Sequence, residues 1–318
     1  MKKIILLLFI SVNMYGQEFN DYETAINNSE DVISLSITSK DLIDKRIELL
    51  RNLKQLSIHT NQNFKLPNEI ENLTKLEHLY IFSDSIESLN TSIFNLTNLK
   101  TLQIKSSRIE NIPKDLGNLK HLNRLVLHCE NLIEIPSSIN NLSLLEELDI
   151  YCKKDLKFPK KLNNLNKLIE FRWGQSLNFS ESITQLKSLK KITFDTSFFS
   201  SLPNSIKNLK NLEVLSLSNS KIKAFPETIS NLNSLKVLEL YSSQIITLPQ
   251  SLSNLKSLEG ISLKYSSNFT DFDSLFRIAK ESSSIKWINI EGTNYNKENI
   301  EKFKRELKNI ELIYQYED

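Results

Sequence analysis

The chain has 318 residues, with 40 Lys+Arg against 38 Asp+Glu for a formal charge of +2, and 40% of its residues are hydrophobic. A balance that close, with no basic tract, leaves no electrostatic footprint for nucleic acid or for an anionic membrane. Five glycines and four histidines leave little room for phosphate-cradling loops or clustered imidazoles, and neither a nucleophile elbow nor a metalloprotease helix is present, so no catalysis and no cofactor are expected.

Residues 1–16, MKKIILLLFISVNMYG, join two lysines to an apolar run from Ile4 to Val12 and a small Gly16. This is the layout of a secretory signal peptide whose removal leaves Gln17 first and the mature chain near zero charge. The run is well short of the ~20 residues that cross a bilayer, no later segment qualifies, and no cysteine near the cleavage point offers a lipid anchor. An exported protein follows, periplasmic, cell-surface or extracellular, and the Asn-, Lys- and Ile-rich composition suggests a bacterial source. In DYETAINNSED, Tyr22, Ala25 and Ile26 fall at helical spacing, which predicts a helical N-terminal cap within 17–31.

From residue 32 to 292 the chain repeats. Hexapeptides such as LKQLSI, LEHLYI, LKTLQI and LEVLSL begin at Leu53, Leu76, Leu99, Leu122, Leu145, Leu168, Leu189, Leu212, Leu235 and Leu258, each step 23 residues except one of 21. An earlier copy starts at Val32 and a later one at Ile285, after a step of 27, which makes about twelve repeats. All seven prolines, Pro67, Pro113, Pro136, Pro159, Pro203, Pro226 and Pro249, fall in this register.

Within each hexapeptide the fourth and sixth residues are apolar and alternate with polar ones, the pattern of a short strand with one buried face; Leu79 and Ile81, or Leu215 and Leu217, are predicted to point inward. The proline that follows withholds a backbone donor and stops the strand. Beyond it, Leu202, Ile206 and Leu209, or Leu248, Leu252 and Leu255, are spaced as a turn of helix or 3₁₀ would require. One coil closes per repeat, and stacked coils pair their strands in parallel, giving a sheet on the order of 50 Å long.

The hexapeptides followed by [LIF]Pxx[IL]xxL resemble the leucine-rich-repeat family in its 23-residue form, LPxxIxxLxxLxxLxLxx, over roughly residues 32 to 292. The resemblance implies an α/β solenoid with a curved parallel β-sheet on its concave face, short helical or 3₁₀ segments on the convex face, and a binding role without catalysis. The chain departs from the family where an Asn usually serves the turn: Asn61, Asp84, Ser107, Glu130, Lys153, Ser176, Ser197, Ser220, Ser243 and Ser266 stand there instead. Asn72, Asn95, Asn118, Asn141, Asn164, Asn208, Asn231 and Asn254 form a second column on the return segments, expected to bond backbone groups of adjacent coils.

Cys129 and Cys152, the only cysteines, are 23 residues apart and occupy equivalent places in consecutive coils. Stacking brings their backbones to roughly 5 Å, which a disulfide tolerates, although in-register side chains run parallel and can miss the required torsion, leaving two buried thiols. With His128 they fall one ligand short of a closed zinc site, so no metal is expected. The coil RWGQSLNFSES is two residues short and carries Gly174 where its neighbours carry larger side chains; it either bends the solenoid, opens a notch on the concave face, or is a tolerated loop change. At the end, NKENIEKFKRELKN places Ile300, Phe303 and Leu307 on one helical face and IELIY can add a strand, so 293–318 reads as a helix–strand cap, with a partner-binding arm as the alternative.

The third, fifth and seventh residues of each register form the exposed side of the sheet. They include His78, Tyr80, Phe82, Arg124, Val126, His128, Glu147, Asp149, Tyr151, Glu239, Tyr241, Lys264, Tyr265 and Trp287. Aromatic rings beside mixed charges bury large area with few rotors, so Tyr80, Phe82, Tyr151 and Tyr241 are the preferred anchors for a protein or peptide partner. The competing reading is an adhesin or structural component that binds glycan or cell wall. No signal for an oligomer is visible.

Overall fold

Parallel neighbours require a crossover of a dozen or more residues, and a 23-residue coil supplies one at each step. The computed structural model describes residues 17–38, 43–62 and 65–315; the expected signal peptide at 1–16 lies outside the described residues. Fourteen strands form one parallel sheet in strict chain order. They are β1 (Gln17–Phe19), β2 (Val32–Thr38), β3 (Gln55–His59), β4 (His78–Phe82), β5 (Thr101–Ser106), β6 (Arg124–Cys129) and β7 (Glu147–Tyr151), then β8 (Glu170–Gly174), β9 (Lys191–Asp195), β10 (Val214–Ser218), β11 (Val237–Glu239), β12 (Gly260–Ser262), β13 (Trp287–Asn289) and β14 (Glu311–Ile313). Strands β2 to β13 are the twelve hexapeptide copies, and the caps add one strand at each edge.

The register makes the core. Leu56, Leu79, Leu102, Leu125, Leu148 and Phe171 pair side by side across β3 to β8, and Ile58, Ile81, Ile104, Leu127, Ile150 and Trp173 do the same two residues on. Every one of these side chains is at most 1% exposed. Burying such a side chain is worth about 1.5–3 kcal/mol, and no coil achieves it without the next.

Nine five-residue 3₁₀ turns make the convex side of the described chain, and at six of them the residue before the turn is a proline of the register. The pyrrolidine ring fixes φ near the value the turn entry needs. The coil that contains Pro159 makes no such turn. There Gln185, from the next coil, accepts from Leu162 N (3.1 Å) and donates to the Lys160 carbonyl (2.8 Å), bonding backbone groups that a turn would have bonded.

The 27-residue step contains a true helix, α2 (Phe272–Glu281) following α1 of the N-terminal cap (Tyr22–Asn27). Asp271 caps α2 through Ser274 N at 3.1 Å, and Phe272, Leu275, Phe276, Ile278 and Ala279 are buried. In α1, Tyr22, Ala25 and Ile26 are buried, and the Tyr22 hydroxyl donates to Asp44. The third helix, α3 (Lys297–Glu306), opens on a capping box formed by Asn296 and Asn299 and buries Ile300 and Phe303; the Phe303 ring meets Phe276 of α2 edge-on at 5.4 Å.

One expectation about the polar columns is corrected. The return-segment asparagines do not form a ladder onto neighbouring backbones: Asn72 and Asn95 donate to the Glu48 and Glu71 carboxylates, whose charge outcompetes a carbonyl. Asparagine bonds onto the backbone of the preceding coil come in three coils from the residue just before the strand register, Asn52, Asn98 and Asn211 donating to the carbonyls of Glu30, Thr74 and Lys187, and elsewhere from Asn90 and Asn131 to the carbonyls of Leu66 and Ser107. At the strand exits the fold changes midway. Ser83, Ser106, Cys129 and Cys152 turn inward in the first half, whereas in the second half Ser176, Ser197, Ser220, Ser243 and Ser266, one register position later, are buried. The residues ahead of those serines, Gln175, Thr196, Asn219, Ser242 and Tyr265, all take φ between 50° and 60°. The switch falls at the entry to the shortened coil.

Cys129 and Cys152 are free thiols, both fully buried, so the disulfide reading is not what the structure shows. Equivalent positions on adjacent parallel coils send their Cβ–S bonds the same way, away from the torsion of about 90° that an S–S bond needs. Burial pushes the Cys129 thiol up to about 12 and raises Cys152 as well.

Candidate recognition surface

Alternate strand residues face the concave side, and there the parallel register places equivalent positions about 4.8 Å apart in columns. The middle column is deeper than expected: Val126 is 1% exposed, and Ser57, Gln103, Thr193 and Ser216 are also buried. Curvature crowds the centre of the face, so the predicted exposure of Val126 is corrected. His78, Tyr80, Phe82, Arg124, His128 and Tyr151 are half-buried, whereas Tyr241 and Tyr265 stand out at 41% each.

At the N-terminal end, His59 stacks on Phe82 with centroids 4.6 Å apart and planes at 16°, and its Nε2 lies 2.8 Å from Ser57 Oγ. Burial holds the His59 and His78 imidazoles below the ordinary histidine range and the Tyr80 phenol above its own. Both imidazoles are therefore neutral at pH 7.

The central strands carry polar and charged side chains that satisfy one another. Arg124 Nε lies 2.8 Å from Glu147, His128 Nε2 lies 3.2 Å from Asp149, Lys191 lies 2.8 Å from Glu170, and Arg172 lies 3.6 Å from Asp195. His128 faces out while its neighbour Cys129 faces in, so strand alternation separates the three candidate metal ligands, and among the described residues no cluster that could hold a metal is assembled. No notch opens at Gly174 either. The Tyr151 ring lies over it, so close that a Cβ there would meet ring carbon Cδ2 at 2.8 Å.

At the C-terminal end Tyr241 and Tyr265 meet edge-to-face at 5.4 Å. Lys264 Nζ sits 5.0 Å above the Tyr265 ring and 2.6 Å from Glu291, which also accepts from the Tyr265 hydroxyl at 2.9 Å. Those two bonds, Lys264 first, lower the Glu291 carboxyl. Trp287 lies over Gly260. Along the edge where strands begin, Lys100–Glu77, Lys190–Glu213, Lys236–Glu213 and Lys286–Glu259 pair at 2.6 to 3.5 Å, a feature the sequence shows as alternating Lys and Glu and that sequence reasoning passed over.

Two open hollows lie away from the concave columns, one bordered by Lys161, Gln185 and Asn208 and one by Lys54, Lys75, Lys100 and His121. Neither brings a nucleophile and a base together. Among the described residues no helix is long and apolar enough to cross a membrane.

A family profile described as leucine-rich repeat region matches residues 32–131, 78–193 and 175–286. No curated protein matches in sequence. Similar solved structures include an internalin (inlF) from Listeria monocytogenes, 22% identical, covering 92% of this chain and 84% of that one with a TM-score of 0.68. Another is the ectodomain of the receptor kinase GASSHO1/SCHENGEN3 from Arabidopsis thaliana in complex with Casparian strip integrity factor 2, 20% identical over 89% of this chain and 35% of that one, TM-score 0.60. A third is a TLR13–ssRNA13 complex, 20% identical over 93% of this chain and 52% of that one, TM-score 0.59. At these identities the likeness is one of fold.

Proposed function

The chain belongs to the leucine-rich-repeat family, and from that premise we propose that it is an exported, non-enzymatic scaffold whose concave sheet docks a protein or peptide. The observation that carries this reading is the concave face itself: a rigid sheet bearing the exposed rings of Tyr241 and Tyr265 and the half-buried Tyr80, Phe82 and Tyr151. Such rings lose little entropy on contact and supply most of the apolar area a partner covers. The resemblance of the fold to a receptor ectodomain solved with Casparian strip integrity factor 2 agrees with a docking role. A polyanion such as RNA suits the face less, because its cations other than Lys105 are bonded to carboxylates.

The test is affinity capture with the mature protein and with a Tyr241→Ala, Tyr265→Ala variant whose circular dichroism is unchanged. A partner held by the first and lost by the second supports concave docking, and equal capture moves recognition to the convex side or a cap. Two exposed phenol rings also suit stacking on a sugar ring. Binding that survives proteolysis of the captured material therefore transfers the reading to glycan. Recovery outside the cytoplasm of a chain beginning at Gln17 tests export.

A further inference from the structure

Opposite charges on the concave columns of β2 to β13 are matched with two exceptions. Among the described residues, Lys105 on β5 and Glu239 on β11 are exposed, face the concave side, and have no ion pair or hydrogen bond from their side chains, whereas the other charged residues of these columns are bonded. Lys105 sits in register between Phe82 and His128. Glu239 stands between two serines, and Tyr241 follows it on the same face beside Tyr265. Resting on the docking reading above, we infer that the partner is an extended peptide segment carrying an acidic group for Lys105 and, about nine residues away, a basic group for Glu239.

The length follows from the sheet. From β5 to β11 is six strand spacings, roughly 29 Å at ~4.8 Å each, which an extended chain covers in about nine residues at ~3.3 Å per residue. The chemistry follows from the sign of the two charges. A uniformly charged polymer is attracted at one end and repelled at the other, and a neutral glycan gains from neither, but a peptide of mixed charge gains from both. At Glu239 the small serines leave the carboxylate uncovered, so a Lys or Arg head can reach it while the stem lies along the Tyr241 and Tyr265 rings. Between the ends, the internally bonded pairs present no unmatched charge.

The experiment is selection of random 12-residue displayed peptides on the full chain and on Lys105→Glu, Glu239→Lys and the double variant. Neither residue is buried or bonded, so the variants are expected to melt with the wild type. The wild type is expected to enrich peptides with one acidic and one basic residue seven to eleven positions apart. Each single reversal should weaken such a peptide about tenfold, and the double variant should enrich the opposite order of charges. Enriched peptides without the charge pair, or ones that bind within twofold to the reversed variants, overturn the inference while leaving concave docking in place. Absence of any enrichment overturns both.

Discussion

A methyl group is more than Gly260 has room for. A Cβ there would sit 2.0 Å from the Trp287 indole, so the ring lies flat on the backbone only because the side chain is missing. Gly260→Ala should therefore displace Trp287 and cost roughly 1–3 kcal/mol, seen as a lower urea midpoint and a red shift of tryptophan emission. At Thr196 the difficulty is torsional: a β-branched residue holds φ of 59°, a region it rarely occupies. Asparagine tolerates that region, so Thr196→Asn is expected to stabilise by up to about 1 kcal/mol in the same measurement. The cysteines make a chemical prediction. Two buried thiols whose thiolates are scarce at neutral pH should be silent to a thiol reagent in the folded protein, and both should react in denaturant without reductant.

Among the elements, the repeat strands were the most legible, since each needs only two alternating apolar positions and a proline to stop it. Helix α2 was missed although its signal is present. Phe272, Leu275, Phe276 and Ala279 follow helical spacing behind Asp271, but they lie in the long step where the repeat template has no position for them. Strand β1 is three residues long and was beyond any periodic test; it exists because β2 offers a parallel edge. The caps have an energetic role that can be measured. Phe303→Ala removes a ring 2% exposed against Phe276 and should cost about 3 kcal/mol, with faster amide exchange confined to β13, α3 and β14.

Across the whole molecule, stability should depend on pH through the histidines of the concave face. His59 and His78 titrate below 6.5 in the folded chain because burial disfavours the charged ring. The unfolded chain therefore takes up protons first, so this stability is complete above pH 6.5 and is lost as pH falls through the depressed folded values. His78→Gln should flatten the fall in urea midpoint between pH 7 and the mid-acid range. The fold was legible at this scale because the period alone dictates stacking, and the columns that make the concave face were legible with it. What was not legible is which concave charges satisfy one another. Arg124 reaches Glu147 and Arg172 reaches Asp195 through side-chain directions that a one-dimensional repeat does not encode, and the crowding that buries Val126 depends on curvature.

That internal pairing bears on how quickly a partner arrives. A face whose charges cancel in neighbouring pairs, with one lone cation and one lone anion far apart, exerts a torque on an approaching dipole but little net pull. Encounter should run at an unsteered pace, about 10⁵–10⁶ M⁻¹s⁻¹, and change little with ionic strength. Selectivity would then be expressed in residence time, with correctly oriented partners staying and reversed ones leaving.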